Sequence, residues 1–242
     1  TMKKIQYLRG LTQLIFLSLL ILGLYNNVRG TLIFLVPIGL IIGNYFCGWA
    51  CPFGTAQEIT GKIGSAFIKK KFQLPAKYQK YAKYSRYLVL LAVLTLGASQ
   101  IIDLVPLNAY RSFFALLSSR PLEWIAYSIL AFFLLLSFFV ERPFCNYACT
   151  EGIKFALPNL ARLYTIKRNS DTCIQCHNCD RVCSMNIHIS NTDEVRNPQC
   201  INCFKCISNC PVKNTLTYGK TTLTLTKIKE KITTLFQKNP TK

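Results

Sequence analysis

Histidine is nearly absent from this chain. Its 242 residues hold two, His177 and His188, both late in the sequence and neither inside a long apolar run. Paired imidazole ligation of haem within a membrane is therefore excluded. His177 lies in a cysteine-rich loop and reads as an exposed polar side chain. A glycine-rich G-x-G-x-x-G fingerprint is also missing, which removes the usual dinucleotide cradle. Acidic residues are few, ten against 29 Lys and Arg, and the formal net charge is +19. No small-x-small cleavage site follows the first apolar run in "LYNNVRG", so that run reads as an uncleaved anchor and not as a signal peptide.

Half of the residues are hydrophobic. High hydrophobicity with high positive charge suits either a membrane protein with basic cytoplasmic segments or a nucleic-acid binder. Four apolar runs approach the roughly 20 residues that a bilayer span needs: Leu8 to Tyr25, Thr31 to Phe46, Tyr87 to Val105 and Trp124 to Val140. Of the 29 basic residues, 26 fall at the N-terminal end up to Arg9, between the second and third runs, or after the fourth. The remaining three are Arg29, Arg111 and Arg120. This asymmetry predicts a multi-pass protein of the cytoplasmic membrane with both termini inside, and needs no nucleic acid. The expected fold class is an α-helical membrane protein with four transmembrane helices as two duplicated hairpins, plus a small α+β cytoplasmic domain. Its expected units are residues 1–61, a first hairpin; 62–86, a basic linker; 87–160, a second hairpin; 161–218, the cytoplasmic domain; and 219–242, a basic tail. The stretch "IGSAFIKKKF" and the segment from Leu223 to Lys238 mix apolar and basic residues, a pattern suited to an anionic bilayer surface.

Twelve cysteines stand at or beyond the inner ends of the expected spans. Disulfides are rare in a reducing compartment, and clustered cysteines there point to metal. Eight fall in two runs, "CIQCHNCDRVC" and "CINCFKCISNCP". Each has the Cys-x2-Cys-x2-Cys-x3-Cys spacing of bacterial two-cluster ferredoxins, in which the fourth cysteine of one run ligates the other cluster. Cys173, Cys176, Cys179 and Cys210 are thus expected to hold one [4Fe–4S] cluster, and Cys200, Cys203, Cys206 and Cys183 a second. One tight loop reaches three irons of a cubane, while the fourth faces away. Zinc would use separated cysteine pairs and leave the middle thiol of each triplet idle. Ser184 replaces the proline that usually follows the first run.

The other four cysteines form two copies of one motif. "FCGWACPFG" (Phe46 to Gly54) and "FCNYACTEG" (Phe144 to Gly152) both read Phe-Cys-x-aromatic-Ala-Cys-x-x-Gly. The chain therefore looks internally duplicated. Each pair is half a site; if the halves pack about a pseudo-twofold axis, Cys47, Cys51, Cys145 and Cys149 complete a third iron–sulfur cluster, expected to be [4Fe–4S]. The competing readings are buried apolar packing and a redox disulfide. Cys51 precedes Pro52, so it is predicted just past a helix end.

The paired Cys-x3-Cys motifs, "FCGWACPFGTAQE" (Phe46 to Glu58) and the two ferredoxin runs together resemble the NapH/NosR-type membrane iron–sulfur proteins. The resemblance covers nearly the whole chain, and the NapH type, a quinol-dehydrogenase component, is the most similar in layout. One departure is Thr150, where the family usually has proline after the second Cys-x3-Cys. The resemblance implies an electron-transfer subunit that relays electrons between the quinone pool or a membrane partner and other subunits of an oxidoreductase complex. Carboxylates for the proton side of quinone chemistry would be Glu58, Glu141 or Glu151, each otherwise a solvated helix-end charge. Trp49 and Tyr147 would flank a quinone ring, or serve as ordinary interfacial aromatics. Asp103 and Glu123 read as interfacial charges on the opposite face. A metal-free thiol–disulfide transducer and a cluster-based assembly or regulatory protein are the alternative functions.

Overall fold

A computed structural model describes residues 2–22, 41–67, 109–117, 121–149, 151–160 and 162–221, with single positions 39, 81, 84, 85, 87, 88 and 91. Helix α1 spans Met2–Ile21. A single π turn, Phe46–Ala50, leads through Cys51 into α2, Pro52–Phe67. Three further helices follow: α3, Ala109–Leu117; α4, Trp124–Phe139; and the short α5, Pro143–Tyr147. Helix α6, Glu151–Leu160, then enters the C-terminal unit. That unit holds β1, Tyr164–Arg168; one-turn helices α7, Asn178–Arg181, and α8, Lys205–Ser208; and β2, Leu216–Lys220.

Strands β1 and β2 pair antiparallel, with Tyr164 opposite Lys220 and Arg168 opposite Leu216. They tie the two ends of the cysteine-rich segment together, as expected for the small α+β domain. Its core contains Ile166, Met185, Ile189, Val195, Ile201 and Leu216. A second core joins the helices through Leu20, Phe53, Phe113, Leu130 and Phe144.

The four-span membrane fold expected from the apolar runs is corrected by the structure. Among the described residues, no helix is long and apolar enough to cross a membrane. The first expected span falls on α1, whose Gln6, Arg9 and Gln13 share one stripe by helical spacing. That stripe turns inward. Arg9 Nε and Gln13 Nε2 both donate to the Gly48 carbonyl, at 2.9 and 3.1 Å, and Gln6 Nε2 donates to the Cys203 carbonyl at 2.9 Å. These residues dilute the apolar run because they serve the interior. The fourth expected span falls on α4, which is largely apolar but only 16 residues long. At the helical rise it covers about 24 Å, short of the roughly 30 Å of hydrocarbon. Most of the expected spans 31–46 and 87–105, of the linker 62–86 and of the tail 219–242 lies outside the described residues, as do Asp103 and the side chain of Glu151.

The helices are apolar on their outer faces. Tyr7, Leu8, Leu11 and Leu14 of α1, Phe67 of α2, and Trp124, Phe132 and Leu135 of α4 are all exposed. The N-terminal part of α1 turns its polar stripe inward and Tyr7, Leu8, Leu11 and Leu14 outward, which reverses the usual pattern of a surface helix, while Leu20 near its end joins the core.

Candidate metal centres

The two ferredoxin-like runs fold into the same loop twice. Gln175 and His177 lie between the first three cysteines of one run, Asn202 and Phe204 between those of the other. All four have left-handed backbones, with φ of 50°, 54°, 47° and 55°. Left-handed non-glycine residues are disfavoured, and four at matching places indicate a geometry imposed by function. These left-handed residues curl the chain so that successive cysteines of the first run line one space. His177 and Phe204 then start α7 and α8, and Asn178 Nδ2 donates to the Asn209 carbonyl at 2.7 Å, linking the two runs.

Cys173, Cys176, Cys179 and Cys210 line one hollow. Cys176 is exposed there, and Cys173, Cys179 and Cys210 are half-buried. Cys183, Cys200 and Cys206 lie in the core of the α+β unit, with Cys203 packed against them. Burial, then the neighbouring Cys203, pushes the Cys183 thiol up to about 12. The same two causes raise Cys206 well above the ordinary thiol value. Cys179 is pushed up to about 11, first by burial and then by Asp180.

The pairs 98 positions apart come together. Cys47, Cys51, Cys145 and Cys149 line one hollow, whose wall includes Phe46, Phe53, Phe144 and Phe155. Cys51 is extended (φ −68°, ψ 111°) just beyond the π turn, as its position before Pro52 predicts. The duplicated glycines have a matching role: Gly54 N–H points to Cys51 Sγ at 3.4 Å, and Gly152 N–H to Cys149 Sγ at 3.3 Å. Gln57 Nε2 adds a 3.6 Å contact to Cys145 Sγ. Burial, then the neighbouring Cys145 and Cys47, raises both Cys51 and Cys149.

This donor set fits an iron–sulfur cluster. Two buried and two half-buried thiols crowded around one space need a cationic partner to become thiolates together, and sulfur ligands suit iron–sulfur chemistry. Backbone N–H groups on the sulfurs are the second-layer support such ligands use. Among the described residues, no three His, Cys, Asp or Glu side chains are grouped so as to hold a single metal ion. The cysteine sets surround wider spaces.

A buried ion network, not read from the sequence, joins this hollow to the second ferredoxin loop. Glu58 is 4 % exposed and accepts from Arg142 Nη2 at 2.6 Å and from Arg9, with Lys205 Nζ at 3.3 Å. Burial opposes its charge, but Arg142, Lys205 and Arg9 outweigh it and hold the carboxyl well below the usual carboxylate range. Lys205 also binds Glu141 at 2.8 Å and Ser184 Oγ at 2.9 Å. Ser184 thus supplies a hydroxyl where proline could not.

The expected solvated role of Glu58 is therefore corrected, and its fixed negative charge suits compensation better than proton exchange. Glu141 is half-buried and paired. Trp49 donates from Nε1 to the Asn202 carbonyl at 2.9 Å and packs edge-on against Phe204. It thereby anchors the ferredoxin loop and does not line the four-cysteine hollow. The Tyr147 carbonyl accepts from the Ser85 hydroxyl. His177 is exposed beside Ser190 and Asp180, and His188 is exposed. The sequence signals for the missed residues were faint. Arg142 occupies the place in the second repeat that Asn44 holds in the first, and Glu58 corresponds to Ala156.

Residues 29–75 and 122–163 match the family described as a 4Fe-4S binding domain, and residues 165–211 match the 4Fe-4S dicluster domain. The uncharacterised protein MJ0750 of Methanocaldococcus jannaschii is 31 % identical over 236 residues, covering 86 % of this chain and 94 % of the relative. The chain belongs to the NapH/NosR-type iron–sulfur proteins. Other relatives of this NapH/NosR-type chain are longer. The putative electron transport protein YccM of Escherichia coli is 27 % identical over 78 % of this chain and 54 % of its own length. The regulatory protein NosR of Pseudomonas aeruginosa is 27 % identical over 66 % of this chain and 23 % of its own length. The chain thus spans about half of the first and under a quarter of the second. No solved structure matches. The two 4Fe-4S family matches contain all twelve cysteines between them.

Proposed function

We propose that this protein is a one-electron relay attached to a membrane, with three iron–sulfur sites in series. The carrying observation is a shared wall. Met185 and Ile201 line the four-cysteine hollow and also belong to the core that contains Cys183, Cys200 and Cys206. The Cys173 set, with its exposed Cys176, would form one end of this series and the Cys47 set the other. Bound clusters would supply the one-electron carriers, and [4Fe–4S] is the type expected at all three sites.

The protein's own residues keep the series together. Gly48 lies so close to the second ferredoxin loop that an added Cβ would collide with the Ile201 carbonyl. Asn159 Nδ2 donates to the Pro198 and Cys200 carbonyls at 2.9 and 2.8 Å, and Asn202 Nδ2 donates to the Ile42 carbonyl at 2.7 Å. These bonds clamp the loop onto the helical layer.

The outward apolar faces of α1, α2 and α4 support contact with lipid or with an apolar membrane partner. The exposed Cys173 loop is the proposed contact for a redox subunit, and the Cys47 end faces the quinone pool or a membrane partner. Iron and sulfide analysis with low-temperature EPR on anaerobically purified protein tests the count. About twelve irons in three centres are expected; eight irons and a metal-free Cys47 set would instead favour the thiol–disulfide reading. A quinol analogue that never changes the oxidation state of any centre, alone or with its redox complex, would remove the quinone end of the proposal.

A further inference from the structure

The two halves of the duplication differ at the rim of the four-cysteine hollow. Three residues before the first cysteine, one half has Asn44 and the other Arg142, and both line the space. Asn44 is used locally, its Oδ1 accepting from the Cys47 N–H at 3.2 Å. Arg142 is fully buried. Its Nη1 donates to the Cys47 carbonyl at 2.8 Å and its Nη2 to Glu58 at 2.6 Å. Among the described residues, its Nε has no hydrogen-bond partner. A bare N–H in the interior is costly, and native proteins seldom leave one. The backbone of Arg142 is left-handed as well, φ 50° and ψ 56°, directly before Pro143.

The surroundings of Arg142 are rich in cations. Among the described residues, three cations, Arg9, Arg142 and Lys205, meet the carboxylates of Glu58 and Glu141. On the other side of Arg142 lie four cysteines. Four thiolates on a cubane carry net negative charge, and reduction adds more.

We propose that Arg142 is a positioning residue for the occupant of the four-cysteine hollow: its Nε–H donates to a sulfur there, and its charge favours the reduced form. This rests on the third-cluster reading above. A buried cation and a hydrogen bond to sulfur both raise the reduction potential of such a site. Arginine suits the task because its fork serves the Cys47 carbonyl and Glu58 while Nε stays available; lysine keeps the charge but loses that geometry.

The test is an EPR-monitored redox titration of full-length protein carrying Arg142→Lys, with the two ferredoxin centres as internal controls. The midpoint of the third centre should shift negative while the other two stay in place. A second measurement needs no folded variant: wild-type protein labelled with 15N-arginine should show electron–nuclear coupling from an arginine nitrogen at the third centre. Unchanged potentials in R142K, or no arginine coupling in the wild type, overturn the proposal while three centres remain. A wild-type protein with only two centres overturns it together with the reading on which it rests.

Discussion

Arg142 Nη1 lies 2.8 Å from the carbonyl oxygen of Cys47, ninety-five positions earlier in the chain. The bond crosses from one half of the duplication to the other in the wall of the shared hollow. It fixes the two cysteine pairs with respect to each other, because Arg142 begins the turn that carries Cys145.

Replacing a cysteine of the shared set should cost one centre and spare two. Cys145→Ser is expected to lower the iron content by about four atoms per chain. Metal analysis and EPR of the purified variant check this; loss of all iron, or of none, would contradict a shared set.

Gly48→Ala should loosen the join between the helical layer and the ferredoxin unit. The new methyl meets the backbone carbonyl of Ile201, which cannot rotate away as a side chain would. Overpacking of this kind costs about 1–3 kcal/mol. Thermal unfolding should show a lower Tm, with the Trp49 fluorescence transition shifted earliest because its indole bonds the same loop.

Glu58→Gln should destabilise the protein by about 3–5 kcal/mol at neutral pH, because buried cations lose their partner. The pH dependence has a definite sign. The folded pKa of Glu58 lies below its ordinary 4.5, so the carboxylate's contribution is complete above that value and is lost as pH falls below it. The stability gap between wild type and E58Q, followed by circular dichroism, should therefore be constant from pH 7 to about 5 and narrow below 4.5. A gap that is flat throughout would show that Glu58 carries no such charge.

Iron should leave the sites in order. Cys176 is exposed, whereas Cys200 and Cys206 are 7 and 5 % exposed. A chelator under mild oxidation is expected to strip the Cys173 set first, seen as early loss of one ferredoxin EPR signal. Simultaneous loss of both would mean that the two runs open as one unit.

Much of the site was legible because spacing along the chain dictates local chemistry. Three cysteines at intervals of three can share one curled loop, and two such loops predict the Cys173 and Cys200 sets without further information. The repeat "FCGWAC" and "FCNYAC" added a global fact, since duplicated halves tend to face each other. The glycine at the end of each copy was visible too, although its N–H contact to sulfur was not.

Hydropathy was a weaker guide. In α1 it gave an apolar run from Leu8 to Tyr25, whereas Arg9 and Gln13 within that run, with Gln6 before it, form an inward polar side of the helix. In α4 an unbroken apolar run gave only 16 helical residues. Hydropathy averages over all sides of a helix and cannot say which side meets protein.

Cysteine number and spacing, the duplication and the basic excess belonged to the sequence alone, because each is a property of order along the chain. The tertiary structure decided the rest. It brought Cys47 and Cys145 to one hollow and withdrew Glu58 from solvent among Arg9, Arg142 and Lys205. It also set Met185 and Ile201 as the wall between two cysteine sets. The reason is that burial and charge pairing depend on distance in space, and residues from four separate segments acquire that only when the chain has folded.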